Sequence, residues 1–336
     1  MKDYLSIFID KEYPKFLDKY LETKTMQRLK YVTQFCGCDY TNLYNPLFLY
    51  TRFDHSLVVA HMTWHFTHDK ESTIVALLHD VGTPCFAHTI DYVYGDYLNQ
   101  ETSERKISDM IKNDKELLTY LDEDGVSIAS FDELENYPIL ENKSPQLCCD
   151  RLDGILHTCY IWLHTHNIEK IKEVFANMVV LNNEDGRAEI GFNNIDSALA
   201  FSQMVSIYAK ELQGNKDKYV MKYISEVVKL ANKNKLVSLD DLYAKKESDI
   251  VEVFKKYFTS WNKFNKANNL ICTNDLPHNF YISFDTKKRN AIPLVNTEVG
   301  VRRANCVSEE IKVIYEEISS YHDTLYAYVE EIEKVQ

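Results

Sequence analysis

The sequence predicts a mostly α-helical fold carrying one or two small β-hairpins. Three observations predict it. Apolar residues recur at helical intervals through most of the stretch from Met1 to Lys170. Only 9 Gly and 7 Pro interrupt 336 residues, too few for a turn-rich β protein or a linker-rich one. Two short β-like runs, each pair flanking a polar turn, lie beyond Lys170.

In chain order, Leu5, Ile7, Phe8, Ile9, Tyr13, Phe16 and Leu17 mark a helix over Tyr4 to Tyr20, and Thr25 to Phe35 follows the same pattern. Phe53 to His68 and Ser72 to Val81 read as two strongly apolar helices across the turn His68-Asp69-Lys70-Glu71, with Ser72 as N-cap of the second. Gly82-Thr83-Pro84 ends that helix, Gly as the C-terminal cap and Pro as the stop. Shorter helices are expected over Phe86 to Tyr94 and Glu101 to Ile111, and a longer one from Ser144-Pro145 to about His164. Met178 to Leu181 and Arg187 to Phe192 flank Asn182 to Gly186 as a hairpin. Helices resume from Asn194 to about Ala231 and near Ile250 to Phe264. Tyr281 to Phe284 and Ala291 to Val295 are expected to form a second hairpin across Lys287-Lys288-Arg289-Asn290, and a terminal helix to run from Ser308 to about Lys334.

Thirty-eight Lys and Arg against 51 Asp and Glu leave a net charge of −13, which argues against an extensive nucleic-acid or anionic-membrane surface. No run reaches the ~20 apolar residues of a membrane span. Met1-Lys2-Asp3-Tyr4 lacks the pattern of a secretory signal, so a soluble, cytoplasmic protein is expected, with its 8 cysteines reduced and mostly buried. Cys36 and Cys38 have no second Cys/His pair nearby, which argues against a structural zinc finger.

Chemistry concentrates in four places: Arg52-Phe53-Asp54-His55, Leu78-His79-Asp80-Val81-Gly82, Phe86-Ala87-His88-Thr89-Ile90-Asp91 and Asp150-Arg151-Leu152-Asp153. His79 and Asp80 end an apolar helix, where a carboxylate costs several kcal/mol unless it is paired or binds a cation. Adjacent helical residues splay by about 100°, so both reach one ion only where the helix points at it. Imidazole nitrogen with carboxylate oxygen suits Mn, Fe, Ni, Co, Zn or Mg without choosing among them.

As an ensemble these motifs resemble the HD-domain metal-dependent phosphohydrolase superfamily: a His (His55), a His-Asp pair (His79-Asp80) and a distant Asp (Asp150). Within it the sequence looks most like the dNTP triphosphohydrolase (dGTPase-like) branch, through Arg52 three residues before the first His and through Phe86 to Asp91. The resemblance covers about residues 30 to 165. It implies an HD-type helical core over residues 1–170 and a helical extension over 171–336, with its small hairpins, packed on that core.

Carried over residue by residue, it implies that His55, His79, Asp80 and Asp150 bind one divalent metal ion and that Arg52 and Arg151 hold phosphate oxygens. It also implies that His88 is an acid/base or electrostatic residue oriented by Asp91, with Glu101 as a further catalytic carboxylate. The expected substrate is a nucleotide or other phosphorylated small molecule. A homo-oligomer is in keeping with the resemblance. The sequence departs from the branch at Thr83, where a His is usual, at Gln100-Glu101 for His-Glu, at Cys148 and Gly154 for Asp and Tyr, and at His157-Thr158 for Arg-Asp. Those departures favour phosphohydrolase over the narrower dNTPase. They leave as alternatives a nucleoside monophosphatase or cyclic-nucleotide phosphodiesterase, or a nucleotide-binding module with little turnover.

Other residues have plainer readings. His61, His65 and His68 read as ordinary helix histidines, lacking a carboxylate at zincin spacing. Asp153, on the face of Asp150, reads either as support for the site or as an Arg partner. Lys287-Lys288-Arg289 reads first as a solvated turn, with a phosphate or effector contact as the alternative.

Overall fold

A computed structural model describes residues 1–9, 13–96, 98 and 106–336. Helices dominate, and the strands gather into two small sheets, so the mostly α architecture with small β additions is what the chain adopts. No helix among the described residues is long and apolar enough to cross a membrane.

The centre of the fold is a helical pair, Arg52–Thr67 and Lys70–Leu78. Thr51 opens the first through a capping box with Asp54, and His68, in the left-handed region at φ 49°, closes it. The cap of the second helix is Asp69 and not Ser72: the Asp69 carboxylate accepts the Ser72 N–H at 2.7 Å, which moves the helix start forward to Lys70. Ile74, Val75, Ala76, Leu77 and Leu78 are all fully buried, and each large side chain among them contributes about 1.5–3 kcal/mol. The helix ends at Leu78, earlier than expected. Gly82 is not its cap: a Cβ there would lie 2.6 Å from Ile107 N and 2.9 Å from Lys106 C, so the glycine admits a crossing backbone.

Elsewhere tertiary contacts shorten or split the expected helices. The first stops at Phe8, and Pro14, which carries no N–H, precedes a 3-10 turn over Lys15–Leu17 and a short helix Asp18–Leu21. Thr25 to Phe35 becomes a helix over Lys24–Arg28 and a 3-10 turn over Leu29–Tyr31. The helix expected from Ser144 begins at Cys149, because the Leu147 N–H is taken by the Glu189 carboxylate at 3.0 Å; it runs to His157 and passes into a π-helical turn over Thr158–Trp162. Phe86 to Tyr94 is regular helix only over Thr89–Tyr94. Of the Glu101 to Ile111 helix the described part is Ile107–Lys112, and Glu101 itself lies outside the described residues. Gly214 divides Ile195–Gln213 from Asn215–Lys233, and Phe258 divides Glu247–Tyr257 from Thr259–Lys266.

The first hairpin forms as predicted, Met178–Asn182 antiparallel to Ala188–Phe192. The second does not. Leu294–Thr297 instead pairs parallel to Ala188–Phe192 and antiparallel to Gly300–Arg303. Tyr281–Ile282 joins a separate sheet with Ile271–Thr273, both antiparallel to Tyr326–Tyr328 between them. That central strand occupies sequence expected to be helix. The terminal helix stops at Ser320, and Asp323 and Thr324 bond Asn215 at 2.7–3.0 Å, which draws the chain out of helical geometry.

Candidate metal centre

Four side chains from three helices meet at one point. His55 lies in the first turn of Arg52–Thr67, His79 and Asp80 just past Leu78, and Asp150 in the first turn of Cys149–His157. Among the described residues, His55, His79 and Asp80 form a group of potential metal-ligating atoms within 4.8 Å of one another. Asp150 completes the ring: its Oδ1 lies 3.0 Å from His55 Nε2 and 3.5 Å from His79 Nε2, while Asp80 Oδ2 lies 3.7 and 4.0 Å from the same nitrogens.

The outer nitrogen of each imidazole is engaged. His79 Nδ1 lies 2.7 Å from the Ala76 carbonyl, which can only accept, so Nδ1 carries the proton. His55 Nδ1 lies 2.6 Å from Asp153 Oδ2, which sets the same tautomer. Both Nε2 atoms therefore point inward at carboxylate oxygens, an arrangement that calls for a proton or a cation between them. His79 Nε2 is buried and makes no hydrogen bond. The donor chemistry and this orphaned nitrogen fit a divalent metal ion.

The electrostatics agree. Burial opposes a charge on His55, yet its bonds to Asp150 and Asp153 raise its pKa to about 10. Burial likewise opposes charge on Asp80 and Asp150, but Arg52 and the imidazoles hold Asp80, and the two imidazoles hold Asp150, well below the usual carboxylate range.

Asp153, left open by the sequence, supports His55. It is fully buried and accepts Tyr4 OH at 2.7 Å, Tyr50 OH at 3.0 Å and His55 Nδ1–H, and His157 Nδ1 lies 3.5 Å away. Tyr4 and Tyr50 were not legible as site residues; nothing local marks them. Thr83 stands where the resembled branch has His, and its hydroxyl donates to Asp80 Oδ1 at 3.0 Å.

The two arginines differ. Arg52 Nη1 donates to Asp80 Oδ2 at 2.7 Å, beside the cage. Arg151 is turned into its own loop: its guanidinium donates to Asn142 Oδ1 at 2.7 Å, the Asn142 carbonyl at 2.9 Å and the Gln146 carbonyl, and pairs with Glu141. The phosphate contact expected of Arg151 is not served by this conformation.

His88 Nδ1 lies 3.1 Å from Asp91 Oδ2, and Asp91 is fully buried. Burial lowers the His88 pKa, the Asp91 bond works against that, and the charges of Arg289 and Arg52 reinforce it. The preceding Phe86 and Ala87 sit at φ 63° and 43°, and Phe86 N donates to Glu247 Oε2 at 2.7 Å. Glu247 is itself buried, and burial with the neighbouring Asp39 charge pushes its pKa to about 8. Of the three histidines on the Arg52–Thr67 helix, His61 is buried with neither ring nitrogen bonded, His65 lies 5.3 Å from the Phe175 ring and His68 ends the helix.

No family model matches the chain. It is 25% identical to the uncharacterized protein YdhJ of Bacillus subtilis (strain 168) over 244 residues, 71% of this chain and 70% of that one. In structure it is similar to a hypothetical protein of Aquifex aeolicus, with a TM-score of 0.62 and 16% identity over 93% of this chain and 91% of that one. It is also similar to a phosphohydrolase of Bacteroides thetaiotaomicron VPI-5482, with a TM-score of 0.64 and 14% identity over 92% and 94% of the two chains. The likeness spans nearly the whole chain and establishes a shared fold.

Proposed function

We propose that the chain is a metal-dependent phosphohydrolase acting on a nucleotide or a related phosphate ester or anhydride. The observation that carries this is the convergence of His55 Nε2, His79 Nε2, Asp80 and Asp150, with both Nε2 atoms turned inward. With neutral imidazoles, three carboxylates (Asp80, Asp150 and Asp153) against one guanidinium (Arg52) leave two negative charges, the complement of a divalent cation. The solved phosphohydrolase of the same fold supports the reaction class.

A divalent metal held by these four residues supplies Lewis acidity, acidifying water and offsetting charge on a phosphoryl oxygen. The chain's own residues do the rest. Arg52 holds Asp80 in place and presents a fixed positive charge beside the cage. Asp91 accepts His88 Nδ1–H and so orients the imidazole that takes up or returns a proton. Asp153 keeps His55 in the tautomer that faces inward.

The narrower reading, a dNTP triphosphohydrolase, rests on Arg52 and the His88–Asp91 pair. Release of intact triphosphate marks that reaction, whereas single phosphate or ring opening marks a monophosphatase or cyclic-nucleotide phosphodiesterase. The test is elemental analysis of the untreated protein, followed by a substrate panel with Mn, Co, Ni or Mg. Bound metal and release of phosphate, pyrophosphate or triphosphate are expected, both lost in Asp80→Ala. A panel without turnover overturns the proposal.

A further inference from the structure

With Arg151 committed to its own loop, the guanidinium that the resemblance assigns to the substrate is turned aside, and a basic segment from the far end of the chain passes the Asp150 side. The path of residues 286 to 292 is fixed at both ends. At one end Thr286 Oγ1 lies 3.1 Å from Tyr92 OH, and the Phe284 ring meets Tyr92 edge-on at 5.7 Å. Tyr92 belongs to the short helix Thr89–Tyr94, which His88 caps. At the other end Ser144 Oγ donates to the Asn290 carbonyl at 3.1 Å, and Ile292 N to the Pro145 carbonyl at 2.8 Å. Ser144 and Pro145 belong to the loop that feeds the Asp150 helix. Lys287-Lys288-Arg289 therefore bridges from the His88 helix to the entrance of the Asp150 helix. On that side His88 and Asp150 keep side-chain exposures of 25% and 35%, against 1% and 8% for His55 and His79.

The three cations are not equivalent. Lys288 is exposed, and its Nζ donates to the Tyr321 carbonyl at 3.3 Å. Arg289 is half-buried. Burial lowers the pKa of His88 and raises those of Cys36 and Tyr208, and the Arg289 charge pulls all three downward. Tyr208 comes from Ile195–Gln213, and its ring lies against Gly154 in the Asp150 helix.

We propose that Arg289, delivered from the far end of the chain, is the guanidinium that binds the substrate's phosphate at the open side of the metal centre, in the role the sequence resemblance gives to Arg151. The proposal rests on the phosphohydrolase reading and adds to it the residue that recognises a polyphosphate. A planar fork suits phosphate oxygens better than an ammonium does.

The test is calorimetric titration of Mn-loaded protein with inorganic triphosphate, on wild type, Arg289→Gln, Arg289→Lys and Lys288→Gln, with metal content and thermal melting measured on each. Loss of a charged hydrogen-bonding partner weakens binding by about 10- to 100-fold. Arg289→Gln is expected to show that loss with metal content unchanged and the protein still folded. Arg289→Lys recovers part of it, and Lys288→Gln stays within about twofold of wild type, as befits an exposed charge. Equal affinity in wild type and Arg289→Gln overturns the assignment of Arg289 alone. A wild-type protein that holds metal but binds no triphosphate overturns the assignment together with the polyphosphate reading beneath it.

Discussion

Replacing Asp153 by Asn tests the site's construction without touching any proposed metal ligand. The carboxylate is fully buried and accepts three bonds, from Tyr4 OH at 2.7 Å, Tyr50 OH at 3.0 Å and His55 Nδ1–H at 2.6 Å. An amide of the same shape has one acceptor oxygen, so whichever way it turns, one of these donors meets an N–H or bonds a neutral oxygen in place of a charged one. A bond to a charged group is worth about 1.5–3 kcal/mol and a neutral one about 0.5–1.5. The metal-free protein should therefore lose about 1–3 kcal/mol in chemical denaturation. An effect of similar size falls on the metal. His55 is no longer held with its proton on Nδ1, and loss of such an outer partner lowers metal affinity by about 10- to 100-fold, or about 1.4–2.8 kcal/mol. Calorimetric titration with Mn measures it. Tyr4→Phe, which removes one phenol and leaves the His55–Asp153 bond, is the control: it should lower stability while metal affinity stays within about twofold. Wild-type metal affinity in Asp153→Asn would refute the reasoning.

Two further outcomes follow from packing and burial. Gly82→Ala places a Cβ 2.6 Å from Ile107 N and 2.9 Å from Lys106 C, backbone atoms that cannot swing away; a loss of about 1–3 kcal/mol or more in urea unfolding is expected, and an unchanged midpoint would show that the crossing is loose. His61 is buried with neither nitrogen bonded, and burial lowers its pKa to about 4 from 6.5. The folded protein thus binds fewer protons than the unfolded chain between those values. This contribution to stability is complete above pH 6.5 and is lost as pH falls toward 4, by about 3 kcal/mol at most. His61→Leu should flatten that part of the stability profile, measured by denaturation between about pH 4.5 and 7, and an equally steep profile in the variant would show that other groups produce it.

The legible part of the site is the part written in local spacing. His55, His79, Asp80 and Asp150 stand in short motifs at helix ends, and their convergence required only that those helices meet. Asp153 shares a helix face with Asp150, so its neighbourhood could be read but not its partner, because that partner is a side chain 98 residues earlier. Tyr4 lies 149 residues from the carboxylate it bonds, and no pattern along the chain announces such a pair. Arg151 is the converse case: its place in a motif suggests a phosphate contact, while acceptors three to ten residues away take its guanidinium in this conformation. The second hairpin failed for a related reason. Alternation in Tyr281 to Phe284 predicts a strand but does not name its neighbour, and the neighbour is Tyr326–Tyr328, hidden in sequence that reads as helix.

The turn that carries His88 shows why the two halves of the chain cannot be assigned separate tasks. Phe86 and Ala87 both occupy the left-handed region, at about 1–3 kcal/mol each for residues other than glycine. Such a conformation persists only when its surroundings over-determine it. Here Arg28 Nη2 donates to the Thr83 carbonyl at 2.7 Å, Thr89 Oγ1 to the Cys36 carbonyl at 2.7 Å, Cys85 N to the Leu242 carbonyl at 2.8 Å and Phe86 N to Glu247 Oε2 at 2.7 Å. Bonds worth about 0.5–1.5 kcal/mol apiece offset that strain only in combination, and two of the four come from beyond residue 240. The proposed metal ligands lie entirely in the first half, but the position of the imidazole proposed to move protons is set from the second. A change at Leu242 or Glu247, remote from every residue the motifs single out, acts on His88 through the backbone it holds.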